Sequence, residues 1–128
     1  MNRPRILLVD DDIRLLKIVK EILECDGYRI TTKSSGEAAI EALHSEAFDV
    51  VITDLEMGQT DGIAVLREAR RANPETRVLL FTGSHVDPIQ LGADDYVSKP
   101  CRLNRLCQTV AGCLEKSVNG RMVRLPSS

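Results

Sequence analysis

Groups that can bind a cation or a phosphoryl oxygen follow four of the apolar segments of this chain. They are Asp10, Asp11 and Asp12 after segment 6–9, Asp54 after segment 48–53, Thr82 at the end of segment 78–82, and Lys99 after segment 96–98. Carboxylates that lie close together repel one another and need a cation where water is scarce. Hard oxygen ligands with room for water suit Mg²⁺, which also accepts phosphoryl oxygens as ligands. A lysine ammonium and a threonine hydroxyl beside such an ion would serve phosphoryl transfer onto a carboxylate such as Asp54.

These groups can act together only if the fold brings the ends of the segments to one place. Segments 6–9, 28–32, 48–53, 78–82 and 96–98 are predicted to be strands, and the continuous aliphatic run at 6–9 is typical of a strand buried on both faces. Segments with helical spacing separate them. Five strands that alternate with helices predict parallel βαβ units and a three-layer α/β sandwich. The carboxyl ends of its strands share one edge, where ligands of such sheets bind.

The first three helices are predicted from their caps and from apolar spacing. Asp12 is expected to cap the first helix. The apolar face of that helix is predicted to consist of Leu15, Ile18, Val19 and Ile22. Ser34 and Glu37 are spaced as a capping box, which predicts a second helix that extends to about residue 43. Asp61 and Gly62 open the third, which Asn73-Pro74 ends.

The fourth helix is predicted to be little more than one turn long. Asp87 could cap it, Pro88 suits the first helical position and Gly92 suits its end. The last helix is predicted from apolar residues at helical spacing between positions 103 and 114. The arginines at positions 67, 70 and 71 of the third helix are expected to form a solvated basic face.

Composition favours one globular domain without a dedicated nucleic-acid surface. The chain has 128 residues, of which 43% are hydrophobic and 28% charged, and its net charge of −2 lacks the basic excess that such a surface requires. The four cysteines form no C-x-x-C pair, which argues against zinc or iron–sulfur sites and favours small core residues in a reducing compartment. No signal-peptide pattern and no run of ~20 apolar residues occurs, so we expect a cytoplasmic protein that does not bind membranes.

Five motifs in register resemble the receiver domain of two-component response regulators. They are LLVDDD, VVITDLEM, DG, LLFTG and GADDYVSKP, and the resemblance covers roughly residues 5–116. It implies a flavodoxin-like fold with helices on both faces of a five-stranded parallel sheet in the order 2-1-3-4-5, here with a shortened fourth helix. On this basis residues 1–116 form the receiver domain and residues 117–128 a C-terminal tail or the stub of a linker.

The resemblance also implies roles for individual residues. Asp54 matches the phosphoacceptor, and Lys99 matches the lysine that pairs with the phosphoryl group, with a cis bond to Pro100. Thr82 and Tyr96 match a switch pair, in which the threonine moves toward the phosphoryl group and the ring turns inward behind it. The implied Mg²⁺ ligands are Asp11 and Asp54 directly, Asp10 largely through water, and the backbone carbonyl of Glu56.

The implied function is a phosphoacceptor switch rather than an enzyme that turns over a substrate. The implied partners are a sensor histidine kinase or phosphotransfer protein and a downstream output protein or domain, and a homodimer is among the assemblies that the resemblance allows. Gly58 replaces the proline usual in the family, which predicts a more flexible loop after Asp54. Glu56 and Ser84 resemble positions that modulate hydrolysis of the phosphoryl group, and the sequence does not predict the sign of their effect.

Three alternatives are kept beside this interpretation. A haloacid-dehalogenase-type phosphatase would need D-x-D-x-[TV] after the first strand, and this chain has Arg14 at the last of those positions. A flavin-binding module on the same fold would need a phosphate-binding loop where this chain has carboxylates. The third is a receiver-like interaction module that is not phosphorylated, which the shortened fourth helix keeps open.

Overall fold

The five predicted strands form one parallel sheet in the order β2-β1-β3-β4-β5. The structure is a computed structural model that describes residues 3–58 and 61–115, so the predicted tail 117–128 lies outside the described residues. The strands are β1 (Arg5–Val9), β2 (Arg29–Lys33), β3 (Val50–Thr53), β4 (Arg77–Thr82) and β5 (Asp95–Ser98). The helices are α1 (Ile13–Cys25), α2 (Gly36–Ser45), α3 (Gly62–Ala72), α4 (Pro88–Leu91) and α5 (Leu103–Glu115). The predicted strand order and the short fourth helix are confirmed.

Helices cover both faces of the sheet, and the side chains on both sides of the central strands are apolar. In β1, Ile6 and Leu8 pack with residues of α1 and α5, whereas Leu7 and Val9 pack with residues of α2 and α3. All four side chains are at most 2% exposed. Burial on both faces explains why the strand reads as a continuous aliphatic run without polar alternation.

The buried face of α1 differs from the predicted one. The side chains that α1 buries are Leu16, Val19 and Leu23, and Ile18 is 48% exposed. The prediction for Ile18 is therefore wrong. The apolar stripe of α1 is wider than the face that contacts the sheet, and spacing alone does not indicate which part of a wide stripe is buried.

Carboxylates cap three of the helices as predicted. Asp12 accepts a hydrogen bond from the Leu15 N–H at 3.1 Å, and Asp61 accepts one from the Ala64 N–H at 3.1 Å. Asp87 caps α4 in the same way, and Pro88 occupies its first turn. Side-chain oxygens at these positions satisfy backbone N–H groups that have no partner inside the helix.

The predicted capping box of α2 is not formed. Ser35, not Ser34, is the N-cap, and its hydroxyl accepts a hydrogen bond from the Ala38 N–H at 3.2 Å. Because the helix begins one residue later than predicted, Glu37 lies one position too early to close a capping box. Two adjacent serines offer alternative caps, and packing against the sheet decides between them.

None of the side chains of the short helix α4 is fully buried, although Leu91 packs against the core. The chain after α4 is held by Arg70 of α3. Gly92 ends α4 with a φ of +85°, a left-handed conformation that favours glycine. The Arg70 guanidinium donates to the Gly92 carbonyl at 3.0 and 3.2 Å, to the Thr76 carbonyl at 2.7 Å and to Asp94 at 2.5 Å. The expected solvated role is therefore wrong for Arg70, which ties α3 to the segment between α4 and β5.

Replacing Arg70 by methionine should lower the free energy of unfolding by about 1–2 kcal/mol at pH 7, since it removes charge-assisted hydrogen bonds. Burial acts to raise the pKa of Asp94, but bonds from the Val78 N–H, Arg70 and Arg77 outweigh it and lower that pKa. The contribution of Asp94 to stability is therefore complete above pH ~4, the pKa of this carboxyl group in the unfolded chain. It is lost as the pH falls through the lower pKa of Asp94 in the folded protein. Urea denaturation at several pH values should show that the difference in unfolding free energy between the parent protein and Arg70→Met becomes smaller below pH ~4.

The exposed Arg67 on the same helix provides the matched control, because Arg67→Met removes a guanidinium from solvent. We expect it to change stability by less than about 0.5 kcal/mol. Equal losses in the two variants would contradict the role assigned to Arg70.

The four cysteines differ in their burial. Cys113 is a buried core residue, Cys101 and Cys107 are half-buried, and Cys25 is exposed, so the expected core placement is wrong for Cys25.

Within the described part of the chain, no helix is long and apolar enough to cross a membrane.

Candidate functional site

Strand ends bring the predicted lysine and two of the predicted carboxylates into contact. The Lys99 ammonium lies 2.5 Å from Asp10 Oδ2 and 2.9 Å from Asp54 Oδ2. Asp10 and Asp54 follow the neighbouring strands β1 and β3, in which Val9 is paired with Thr53. Lys99 follows β5, and its backbone N–H donates to the Thr82 carbonyl at 2.9 Å. The parallel sheet thus joins Lys99 to carboxylates that lie 45 and 89 positions earlier in the sequence.

This charged cluster is largely withdrawn from water. The side chains of Asp10, Asp54 and Lys99 are 3%, 12% and 23% exposed. The Lys99 ammonium also lies 5.1 Å from the centroid of the Phe81 ring, within the range of a cation–π interaction. Burial works to lower the pKa of Lys99, but its hydrogen bonds to both carboxylates raise that pKa above the ordinary value. Lys99 is therefore a permanent positive charge at neutral pH.

The pKa values of the two carboxylates are shifted in opposite directions. Burial raises the pKa of Asp10, although bonds from Lys99 and the Asp12 N–H oppose the rise. Burial also acts to raise the pKa of Asp54, but hydrogen bonds from Lys99, Thr82 and the Glu56 N–H outweigh it and lower that pKa. Asp54 is consequently the carboxylate that stays ionised most readily.

Backbone groups fix the orientation of Asp54. Its Oδ1 accepts hydrogen bonds from the N–H groups of Leu55 at 2.6 Å and Glu56 at 3.3 Å. The first residue of α3, Gly62, donates its N–H to the Leu55 carbonyl at 2.9 Å. A Cβ at Gly62 would lie 1.9 Å from the Asp54 carbonyl oxygen, so only glycine permits this close approach. The Asp-Gly pair at 61–62 therefore positions Asp54 as well as starting α3.

Of the two predicted switch residues, Thr82 lies next to this cluster and Tyr96 is connected to it through Ser84. Thr82 is 1% exposed, and its hydroxyl accepts a hydrogen bond from the Ser84 N–H at 3.2 Å. The Tyr96 hydroxyl donates to the Ser84 carbonyl at 2.9 Å. The Lys99–Pro100 peptide bond is cis, as the resemblance implied. Thr82 and Tyr96 are thus linked through the backbone of Ser84.

The donor set fits a divalent cation by its charge and chemistry. Asp10, Asp11 and Asp54 carry three negative charges against one positive charge on Lys99, which leaves an excess of two. Asp11 follows Asp10 in the sequence and is exposed. Among the described residues, no three His, Cys, Asp or Glu side chains are arranged as ligands of one metal ion. The predicted set does not require such a trio, because it combines two direct carboxylates with a backbone carbonyl and waters, a pattern that Mg²⁺ accepts.

Two contacts at the site were not predicted from the sequence. One is the contact of Lys99 with the Phe81 ring, and the other is a hydrogen bond of 2.6 Å from the Ser84 hydroxyl to Glu56 Oε1. Their positions near the strand ends were visible in the sequence. Which side chains meet there depends on loop conformations, for which the sequence carries no spacing signal.

A parallel sheet of this order that carries aspartates, a threonine and a lysine at its carboxyl edge is the arrangement that the sequence motifs predict for a receiver domain. Residues 6–111 match the family model of the response regulator receiver domain, and the chain belongs to this family. It is a receiver domain of two-component response regulators.

Relatives and solved structures agree with this assignment. The chain is 38% identical over 119 residues to the alginate biosynthesis transcriptional regulatory protein AlgB of Pseudomonas putida, covering 89% of this chain and 27% of AlgB. It is 36% identical over 114 residues to the transcriptional regulatory protein ZraR of Escherichia coli, covering 85% of this chain and 26% of ZraR. The response regulator TrrA of Thermotoga maritima, solved in complex with Mg(2+)-BeF, matches with a TM-score of 0.79 and 33% identity over 87% of this chain and 99% of TrrA. This chain therefore spans about a quarter of the length of AlgB and ZraR.

Proposed function

We propose that Asp54 accepts a phosphoryl group from a phosphohistidine of a sensor kinase or phosphotransfer protein, in a reaction that requires Mg²⁺. The observation that carries the proposal is the Lys99 ammonium, which bridges Asp10 and Asp54 at the carboxyl edge of the sheet. A fixed positive charge beside an ionised carboxylate suits an incoming phosphoryl group, because it stabilises the charge on the transferred oxygens.

The acceptor chemistry follows from the groups around Asp54. The lowered pKa keeps the Asp54 carboxylate ionised, so that an oxygen can attack phosphorus while the bond to the donor imidazole breaks. Lys99 and the Thr82 hydroxyl are the groups that would bind phosphoryl oxygens. Asp11, Asp54 and the Glu56 carbonyl would hold Mg²⁺, with Asp10 acting largely through water. When bound, the ion supplies the positive charge that lets a phosphoryl group approach three carboxylates.

The response to phosphorylation would involve Thr82 and Tyr96. A phosphoryl oxygen would accept a hydrogen bond from the Thr82 O–H and draw that side chain toward it, while Thr82 Oγ1 accepts a hydrogen bond from the Ser84 N–H in this structure. Movement of Thr82 would therefore reach Tyr96 through Ser84 and shift a two-state equilibrium at the face formed by α4, β5 and α5. An output domain, a separate protein or a second copy of this chain would read that face. We place this reaction in the cytoplasm and assign residues 1–116 to the receiver domain, with 117–128 as a tail or linker.

Incubation with a small phosphodonor and Mg²⁺, followed by mass spectrometry, tests the acceptor. We expect one phosphoryl adduct on the parent protein and none on Asp54→Ala. The matched control is Asp12→Ala, because Asp12 caps α1 beside the site and should cost about 1 kcal/mol of stability without loss of the adduct. An adduct that persists in Asp54→Ala would rule out Asp54 as the acceptor.

A receiver-like module that is never phosphorylated is the second candidate, and the shortness of α4, which has only four residues, favours it. Beryllofluoride, a phosphoryl mimic, separates the two candidates. The acceptor function predicts Mg²⁺-dependent binding of beryllofluoride, whereas a module without acceptor chemistry would not bind it.

A further inference from the structure

Ser84 makes three hydrogen bonds that lead to three different parts of the site. Its backbone N–H donates to Thr82 Oγ1 at 3.2 Å, and its backbone carbonyl accepts from the Tyr96 hydroxyl at 2.9 Å. Its hydroxyl donates to Glu56 Oε1 at 2.6 Å. Of these three bonds, the one to Glu56 depends on the side chain, so a substitution at position 84 can remove it selectively.

The bond to Glu56 reaches the loop that follows Asp54. The Glu56 N–H donates to Asp54 Oδ1 at 3.3 Å, and its carbonyl is the proposed backbone ligand of Mg²⁺. Two residues further, Gly58 has a φ of +71°, a left-handed conformation that favours glycine. The Ser84 hydroxyl therefore restrains the side chain of a residue whose backbone lies at the acceptor.

The bond has the length of a strong hydrogen bond to a carboxylate. Distances of 2.5–2.7 Å are typical of a hydroxyl that donates to an ionised oxygen, and such bonds are about twice as strong as neutral ones. It spans 28 positions and joins the loop after β3 to the loop after β4. A movement of either loop that separated these two atoms would have to break it.

We propose that Ser84 is a positioning residue that couples the Mg²⁺-binding loop at Glu56 to the hydroxyl of Tyr96. The Glu56–Ser84 bond joins the two loops, and the Ser84 carbonyl passes the restraint to Tyr96. By linkage, an ion that fixes Glu56 stabilises the Tyr96–Ser84 bond, and the Tyr96–Ser84 bond in turn favours the ion. The part that concerns Mg²⁺ rests on the proposed function.

Tyrosine fluorescence during a titration with Mg²⁺ alone can test the coupling. The sequence has no tryptophan and two tyrosines, so the Tyr28→Phe protein reports on Tyr96 only. In this background we expect Mg²⁺ to change the Tyr96 emission. Ser84→Ala should reduce that change by about half or more and weaken Mg²⁺ affinity by about five-fold, the lower end of typical couplings.

Two further variants separate the hydrogen bond from charge and from general effects. Glu56→Gln keeps a side-chain oxygen that can accept from Ser84 and should retain the coupled response, whereas Glu56→Ala should lose it. Ser45→Ala is the control, because the Ser45 hydroxyl bonds the Glu41 carbonyl on the exposed side of α2. It should leave the Tyr96 response unchanged.

Three results would overturn the coupling: no emission change in the Tyr28→Phe protein, a full response in Ser84→Ala, or equal losses in Glu56→Gln and Glu56→Ala. The titration contains no phosphodonor, so its outcome is independent of whether Asp54 accepts a phosphoryl group. An absent adduct on Asp54 together with a coupled Mg²⁺ response would refute the acceptor function and leave the role of Ser84 supported.

Discussion

Alanine at position 62 is expected to lower the free energy of unfolding by about 3 kcal/mol or more. Its Cβ would lie 1.9 Å from the Asp54 carbonyl oxygen and 2.8 Å from the Asp54 carbonyl carbon and the Leu55 Cα. These are backbone atoms at the junction of β3 and the loop that follows it, so no side-chain rotation can relieve the contact. Either α3 must move away from the sheet or Asp54 must leave its position.

Denaturant titration measures this loss, and Gly112→Ala is the matched control. Gly112 lies within α5, and an added Cβ there meets nothing within 4 Å. Because alanine favours a helix interior over glycine, Gly112→Ala should raise stability by about 0.5–1 kcal/mol. Opposite signs for the same chemical change would show that the cost at position 62 is steric. A Gly62→Ala protein as stable as the parent would contradict the close approach of α3 to Asp54.

Methionine at position 99 is the second change with a large expected effect. It keeps most of the apolar stem but removes the ammonium that bridges Asp10 and Asp54. We expect stability at pH 7 to fall by about 2–3 kcal/mol, because two largely buried carboxylates lose their shared cation. We also expect phosphorylation of Asp54 to slow by about 100-fold, the usual consequence of removing one electrostatic contact to a transferred group.

The stability deficit of Lys99→Met should depend on pH in a defined direction. Burial already raises the pKa of Asp10 in the folded protein. The folded state therefore gains stability as the pH falls from this raised pKa toward the pKa of Asp10 in the unfolded chain. Without Lys99 this effect grows, and the deficit should narrow as the pH is lowered from 7 toward 4. Thermal unfolding across this range measures it. Lys17→Met, at an exposed position of α1, is the control and should show no such trend. A deficit that stays constant with pH would mean that Lys99 acts through packing rather than charge.

Much of the fold and the location of the site followed from the sequence. The run at 6–9 predicted a strand buried on both faces, and Asp12, Asp61 and Asp87 predicted the starts of three helices through local hydrogen bonds. The edge at which Asp10, Asp54 and Lys99 meet followed because parallel strands end on the same side. The strand order came from the resemblance of the motifs to receiver domains, and the structure has that order.

Where the sequence offers several suitable residues for one role, the tertiary structure decided which of them takes it. It selected Ser35 over Ser34 as a cap, Leu16 and Leu23 over Ile18 as buried residues, and Arg70 over Arg67 and Arg71 as the anchor of Gly92 and Asp94. It also brought Ser84 to Glu56 across 28 positions. Helix caps and apolar runs depend on residues within a few positions of one another, so they can be recognised in the sequence. Long-range contacts are set by the packing of whole elements, which resolves choices that spacing and residue type leave equal.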